Sequence, residues 1–536
     1  DDDDDAAAAA ADDEIEPVDA DAEKVAVVVE PSLALVTVDV ATVALADGVY
    51  SRSFEGNGTV VHHDPKSGLG LVLVDRNTVP VASCDVLVSF AAYPHEVAAK
   101  VEYLHPTHNF GIVSYDAGAM PRAACAAVKT IRTHEAGDPE AAIRRGDEVV
   151  LVGLSGSLRP MARVSAVTDA TSSADIPSAD IPRFRAVNEE VVSLDTDFGY
   201  AFGGVLTDAT GRAKALWASY AKPADGEVRD LVRGMPWAPV SDAVTQILEW
   251  KRRERETSRK EEEEEEDESS RRRVVYLLDA EFGSMPLAKA ADHGVPSAWI
   301  ETLLRADPVR RQALTVASTV ACTGAVDVLK GGDVVLEAGG RAATTFRAVE
   351  DAVAAAVAAR GDESGPEKKT DEETDAKLAL PLKIVRDGVV VDVLPTLSAE
   401  SVAGTGRLLH WAGCQIQPTH RPVVELGFRP TTETDPRVPL DVFISRWYHG
   451  SPAQRYGLYA LNWIASVNDV ETPTIDAFIE ATRGLPDGSF VRLKLIGLTG
   501  RPKVLTLKLD RNYWPTWELR RRDDGSGEWE RVTYDD

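Results

Sequence analysis

The chain has 536 residues, 44% hydrophobic and 27% charged, with 58 basic and 87 acidic side chains for a formal net charge of -29. That length exceeds one hydrophobic core and predicts three or four domains of ordinary globular composition. The acidic balance argues against nucleic acid or an anionic membrane as partner, because phosphate binding needs a basic face.

Cys84, Cys125, Cys322 and Cys414 are scattered and form no C-x-x-C pair. This spacing argues against a disulfide framework or a zinc site and for a reducing, intracellular compartment. No apolar run approaches the roughly 20 residues of a membrane span, and the N-terminal residues have no signal or transit character. The chain begins DDDDDAAAAAADDE without a methionine, which predicts a fragment or processed product of something longer. No cofactor and no metal ligand set is expected.

In chain order, residues 1–24 are Asp/Ala low complexity and predict an acidic disordered segment. Residues 25–222 alternate short apolar runs, such as LALVTVDV, GLGLVLVD and DEVVLVGL, with turn residues, the spacing of a β-barrel or sandwich. Residues 223–273 hold a helix, Asp242 to Arg255, and a charged run that reads as a solvated linker. Two units of one plan follow, 274–400 and 401–520: strand, short helix, strand, turn, strand, helix, two-stranded hairpin. An acidic insert, 361–377, interrupts the first unit, and residues 521–536 read as a polar tail. The fold class is mainly β with α+β modules.

Isolated candidates read as ordinary structure. Ser155 in GLSGS follows a strand and precedes LRPMARV, whereas a nucleophile elbow needs a strand-to-helix turn. His62-His63-Asp64 lies at a turn with no partner spaced for ligation, and nothing pairs Cys84 with a histidine.

The stretch GSPAQRYGL followed by NWIASVND resembles the bacterial-type PDZ signature of HtrA proteases. Gly450, Ser451, Pro452 and Ala453 match the turn; Ser451 suits a helix cap and Pro452 its first position. The second unit departs at Leu461-Asn462, where the family has Gly-Asp, while the first keeps Gly332-Asp333 and replaces the turn by CTGA. A PDZ domain takes an extended peptide as an added strand. The resemblance implies peptide-binding loops at Leu278 and Ala280 in the first unit and at Trp411, Ala412, Gly413 and Cys414 in the second. Asp279 would repel a free C-terminus, so binding is expected in the second unit ahead of the first.

The stretches FEGNGTVV, HPTHNFGIVSYD, IPRFRAVNEEVVSLDTD, RWYHGSPAQRYGLYALNWI and YWPTWELR extend the resemblance over nearly the whole chain. They are similar to the second, degenerate protease half of the long, duplicated HtrA/Deg-like serine proteases, nuclear and pro-apoptotic in fungi and of the Deg type in plants. This implies a trypsin-like double β-barrel followed by two PDZ domains. Active members carry T-N-x-H-V for the general base, H-D-F-G for the orienting aspartate and S-G-S-P-V for the nucleophile. Here DRNTV puts Thr78 in the first slot, HNFG puts Asn109 in the second, and FGGVLTD puts Phe202 in the third. Serine proteolysis needs a hydroxyl, an imidazole and a carboxylate, so the barrel is expected to be a pseudoprotease with no catalytic residue.

The function implied is that of a non-catalytic C-terminal half of an HtrA-like serine endopeptidase, with peptide binding by PDZ domains and assembly or regulation by the barrel. Its expected partners are polypeptide substrates or C-terminal peptides, an active protease half upstream or in trans, and further copies of itself. Resemblance implies the nucleus, with the plastid as the alternative. Two other readings stay open: a stand-alone PDZ scaffold, and an active endopeptidase using other residues.

Overall fold

Two closed six-stranded barrels come first in the chain. The computed structural model describes residues 20–135, 137–155, 157–195, 203–224, 227–257, 273–363, 378–522 and 526–534. Helix α1 (Ala20–Val29) leads into β1 (Leu33–Asp39), β2 (Ser53–Asp64), β3 (Leu69–Val74), β4 (Asp85–Phe90), β5 (Glu96–Leu104) and β6 (Gly111–Asp116). These close in the order β1-β2-β3-β6-β5-β4. Helix α2 (Arg122–Ala127) and β7 (Arg132–Thr133) lead to β8 (Glu148–Leu154), β9 (Pro160–Ser173), β10 (Glu190–Leu194), β11 (Gly204–Thr207), β12 (Arg212–Ala224) and β13 (Glu227–Pro236). The ring β11-β8-β9-β10-β13-β12 closes through β11–β12, with β7 parallel to β12.

Strand β3 shows why the barrels stay together. Its side chains alternate between faces, as in any strand, yet both faces are buried. Val72 and Val74 enter the core of the first barrel, while Leu71 and Leu73 join Val152 and Val205 of the second. Each such leucine contributes about 1.5–3 kcal/mol of hydrophobic burial. The second barrel runs past residue 222, because β13 pairs with β12 from Ala224↔Glu227 to Ala215↔Pro236. Only then does α3 (Ala238–Thr257) begin.

The first repeated unit comprises β14 (Val274–Leu277), β15 (Ala280–Pro286), α4 (Leu287–Asp292), α5 (Ser297–Ala306), β16 (Gln312–Thr319), β17 (Val334–Ala338), β18 (Arg341–Ala342), α6 (Phe346–Glu363), β19 (Leu382–Arg386), β20 (Val389–Val393) and β21 (Ser398–Ser401). The second comprises β22 (Arg407–Trp411), β23 (Cys414–Gln417), α7 (Arg421–Val424), β24 (Phe443–Trp447), α8 (Pro452–Tyr456), β25 (Asn462–Val467), β26 (Val470–Glu471), α9 (Ile475–Thr482), β27 (Phe490–Gly497) and β28 (Pro502–Lys508), with β29 (Trp517–Arg521) and β30 (Trp529–Thr533) appended. Their sheets run β15-β16-β17-β19-β20 and β23-β24-β25-β27-β28. The fold is mainly β: a double β-barrel followed by two α+β units of PDZ type.

Three further details differ from the sequence expectations. The first unit has turns, not a short helix, at CTGA. It lacks the cap that starts α8, where Ser451 Oγ accepts from the Gln454 N–H at 3.1 Å, and Cys322 adopts a left-handed φ of 60°. Residues beyond 520 include β30, whose Trp529 packs with Leu519 and Leu408 against the first barrel. Residues from Ala20 onward are helical and packed, Ala22, Val25 and Val29 being buried.

Candidate functional site

Two of the three triad slots lie where the barrels meet. Thr78 lies in the turn after β3 and Asn109 just before β6; Phe202 lies outside the described residues. The nearest described point on its loop is Gly203, where an added Cβ would lie 3.9 Å from Asp75 Oδ2.

Asp75 organises this cleft. Its Oδ1 accepts from the Thr78 hydroxyl at 2.7 Å and the Thr78 N–H at 2.8 Å. Its Oδ2 accepts from the Ser219 N–H of β12 at 3.1 Å and more weakly from the Ser219 hydroxyl at 3.4 Å. Asn77 Nδ2 donates to both the Ser219 carbonyl and hydroxyl at 2.9 Å. Asn109 completes the lattice: Nδ2 donates to the Ser219 carbonyl at 2.7 Å, Oδ1 accepts from the Arg76 N–H at 3.1 Å, and its own N–H donates to Glu189 at 2.6 Å. The side-chain polar atoms and the backbone N–H at both described slots are therefore spent on neighbours. The space is filled as well, since a Cβ on Gly56 would sit 2.0 Å from Thr78 Oγ1.

The two imidazoles beside Asn109 are committed elsewhere. His105 Nδ1 accepts from the N–H groups of Thr107 and His108 at 3.2 and 2.9 Å, and burial, with the His108 charge next, holds its pKa well below the usual histidine range. His108 Nε2 meets Glu350 of α6 at 2.7 Å and its Nδ1 lies 3.6 Å from Glu189. Burial pushes the His108 pKa down, but the two carboxylates outweigh it and raise it to about 10. An imidazole held charged is no general base. The Ser219 hydroxyl lies beside the Asp75 carboxylate, and among the described residues no imidazole is bonded to either, unlike the hydroxyl–imidazole–carboxylate arrangement of a serine protease.

Sequence comparison decides the relationship. Over 497 residues the chain is 37% identical to Protease Do-like 7 of Arabidopsis thaliana, covering 92% of this chain and 42% of that protein. Over 515 residues it is 30% identical to the pro-apoptotic serine protease NMA111 of Saccharomyces cerevisiae, covering 96% and 45% respectively. This chain belongs to the HtrA-like protease family. It spans less than half the length of the curated relatives it matches. No family profile matches it. Among solved structures, the HtrA-type protease AlgW with tripeptide aligns over 70% of this chain and 97% of its own, at 14% identity and a TM-score of 0.42.

In this HtrA-like chain the sequence-derived peptide loops take two different forms. In the first unit Leu278 and Ala280 are buried and the Ala280 N–H turns back to the Leu278 carbonyl at 2.8 Å. Among the described residues β15 pairs with β16 on one edge only. Its other edge receives the side chain of Asn188, from the loop before β10: Nδ2 donates to the Ala280 carbonyl and Oδ1 accepts from the Phe282 N–H, both at 2.8 Å. Arg185 from the same loop grips Glu281 with two bonds, at 2.9 and 2.7 Å. In the second unit Trp411, Ala412, Gly413 and Cys414 form the turn of a closed hairpin, Trp411 pairing with Cys414. Gly413, at φ 79°, must be glycine because a Cβ there would lie 2.0 Å from Ser451 Cβ.

The other singled-out residues are structural. Ser155 Oγ accepts from the Arg159 N–H at 3.2 Å in the β8–β9 turn. His63 is bound to the Tyr115 hydroxyl at 2.7 Å and the Cys125 carbonyl at 3.3 Å. Burial pushes the Cys84 thiol up to about 12, far from thiolate. Sequence reasoning did not single out Asp75, Ser219, Asn188 or the imidazole of His134. The last lies between Asp138 at 3.1 Å and Asp208 at 3.2 Å, with Glu140 in the same group. Only Asp75 had an available signal, its three-residue spacing from Thr78, which is that of a side chain capping a turn.

Proposed function

We propose that this chain is the non-catalytic part of an HtrA-like serine protease, a pseudoprotease barrel that positions two PDZ-type units and regulates or assembles with an active copy supplied elsewhere. The observation that supports it most is the cross-barrel lattice: Thr78 and Asn109 are tied to Asp75 and Ser219, and no described imidazole hydrogen-bonds to any of them. Polypeptide recruitment falls to the first unit, whose strand β15 keeps an edge covered only by side chains and so suits addition of an extended peptide once Asn188 moves aside. The reading also carries a nuclear location, with the plastid as alternative, tested by imaging the tagged full-length protein.

The experiment is casein hydrolysis by the purified chain together with labelling by a serine-reactive fluorophosphonate. Neither cleavage nor labelling is expected. Labelling at a defined serine, lost when that serine is replaced, would mean that the cleft holds an active nucleophile and that the proposal is wrong.

A further inference from the structure

Strands β15 and β23 hold the same place in the two units. Each pairs on one edge with the next strand of its sheet, β16 or β24. The strands that precede them part company. β14 turns away to pair with β21, which leaves the β15 edge to Asn188. β22 instead folds straight back on β23, with Leu409↔Ile416, His410↔Gln415 and Trp411↔Cys414 in antiparallel register. The two turn residues, Ala412 and Gly413, have φ of 50° and 79°, the sign a two-residue hairpin of type I′ requires at both positions.

An extended peptide bound to a PDZ module adds as a strand to that edge and sends alternate side chains into the groove. β22 does both. Leu409 and Trp411 enter the core of the second unit with Phe478 and Ile479 of α9, and the Trp411 ring meets Phe478 edge-on at 5.2 Å. Arg407 adds a two-pronged bond to Asp476 in the first turn of α9, at 2.9 and 2.8 Å. The intervening side chains face the first barrel. Leu408 joins its core, and His410 Nε2 donates to the Val43 carbonyl at 3.0 Å. The outer edge of β22 is taken by β29.

We infer that β22 is a built-in ligand of the second unit: Arg407–Trp411 fills its peptide groove in cis, so this unit is a tie between the first barrel and the C-terminal hairpin and not a receptor for free C-termini. The inference rests on the second unit being of PDZ type, and it stands or falls separately from the loss of protease activity. It assigns external peptides to β15 and closes β23 to them.

Two measurements test it. Hydrogen exchange on the unmodified full chain should find the β22 amides as protected as those of β24 and β25; fast exchange confined to β22 would overturn the inference. The second is titration with a fluorescein-labelled peptide copying Thr405–Trp411, against the unmodified chain and against the double variant Arg407→Ala/Trp411→Ala. The variant should bind the peptide at least about tenfold more tightly, with new protection at β23. Equal binding to both chains, or binding to neither, counts against the inference. Should the double variant not fold, the exchange result on the unmodified chain decides alone.

Discussion

The guanidinium of Arg421, in α7 of the second unit, lies 2.9 Å from the carboxylate of Asp279, in the peptide loop of the first. Asp279 is fully buried, and Glu400 and Glu425 also bind Arg421, at 3.2 and 2.9 Å. The position where a ligand carboxylate would be sought is thus already part of a buried ionic core joining the two units. Removing one member of a buried ion pair costs about 3–5 kcal/mol, because the other is left charged and unpaired. Arg421→Met should lower the unfolding free energy read from a urea titration by that order, whereas Asp279→Asn, which keeps an acceptor, should cost less. Equal, small effects would mean that the network is solvated.

Asn188 stands in for a strand at the edge of β15. Asn188→Ala leaves the Ala280 carbonyl and the Phe282 N–H without their partner, a loss of about 1–3 kcal/mol. Faster deuterium exchange at the Phe282 amide is the direct reading. A gain in affinity for extended peptides should accompany it, since the edge is then open.

Putting the family residues back into two slots should not restore catalysis. Thr78→His must force an imidazole into space where Thr78 Oγ1 already lies against Gly56, an overpacking cost of about 1–3 kcal/mol. Asn109→Asp replaces the donor to the Ser219 carbonyl by an acceptor, at a cost of about 1–3 kcal/mol. The double variant is expected to melt lower than the parent and to leave casein intact. Measurable hydrolysis would show that the cleft accepts the restored pair and that a hydroxyl other than the one missing at Phe202 acts as nucleophile.

His108 makes the contact between barrel and first unit dependent on pH. Its pKa is raised to about 10 in the folded chain, burial notwithstanding, by Glu350 and Glu189, against about 6.5 unfolded. Its contribution is therefore full below about pH 6.5 and is lost as pH rises toward the folded value. Unfolding midpoints between pH 7 and 9.5 should fall more steeply for the parent than for Glu350→Gln. Parallel curves would exclude the pair as the cause.

His410 has the opposite sign. Burial, opposed by its bond to the Val43 carbonyl, lowers its pKa to about 4, and the ring stacks on Trp517 with centroids 3.9 Å apart. The unfolded chain binds the proton first, so stability present above about pH 6.5 is lost as pH falls toward 4. Exchange at β22 should accelerate over that window in the parent and less in His410→Gln.

Local signals carried much of the architecture. The alternation in LALVTVDV became β1, the cap and proline of GSPA started α8, and positions 78 and 109 carry a threonine and an asparagine, neither an imidazole nor a carboxylate, because side-chain identity needs no coordinates. Strand alternation could also say that WAGC follows a strand, but not which strand would lie beside Cys414. Pairing is a choice among distant edges, settled by what covers both faces of the incoming strand. β22 pairs with β23 where Leu408 and Leu409 are fully buried on opposite sides, against the first barrel and the second unit, whereas Val275 and Tyr276 of β14 are only partly buried, against the barrel core and the first-unit core, and β14 pairs with β21. The carboxylate of the cleft likewise comes from Asp75, which reaches Ser219 across 144 residues of chain. Composition and spacing decided which groups this protein possesses; the tertiary structure decided which of them meet, since hydrogen bonding and burial act between neighbours in space whatever their distance along the chain.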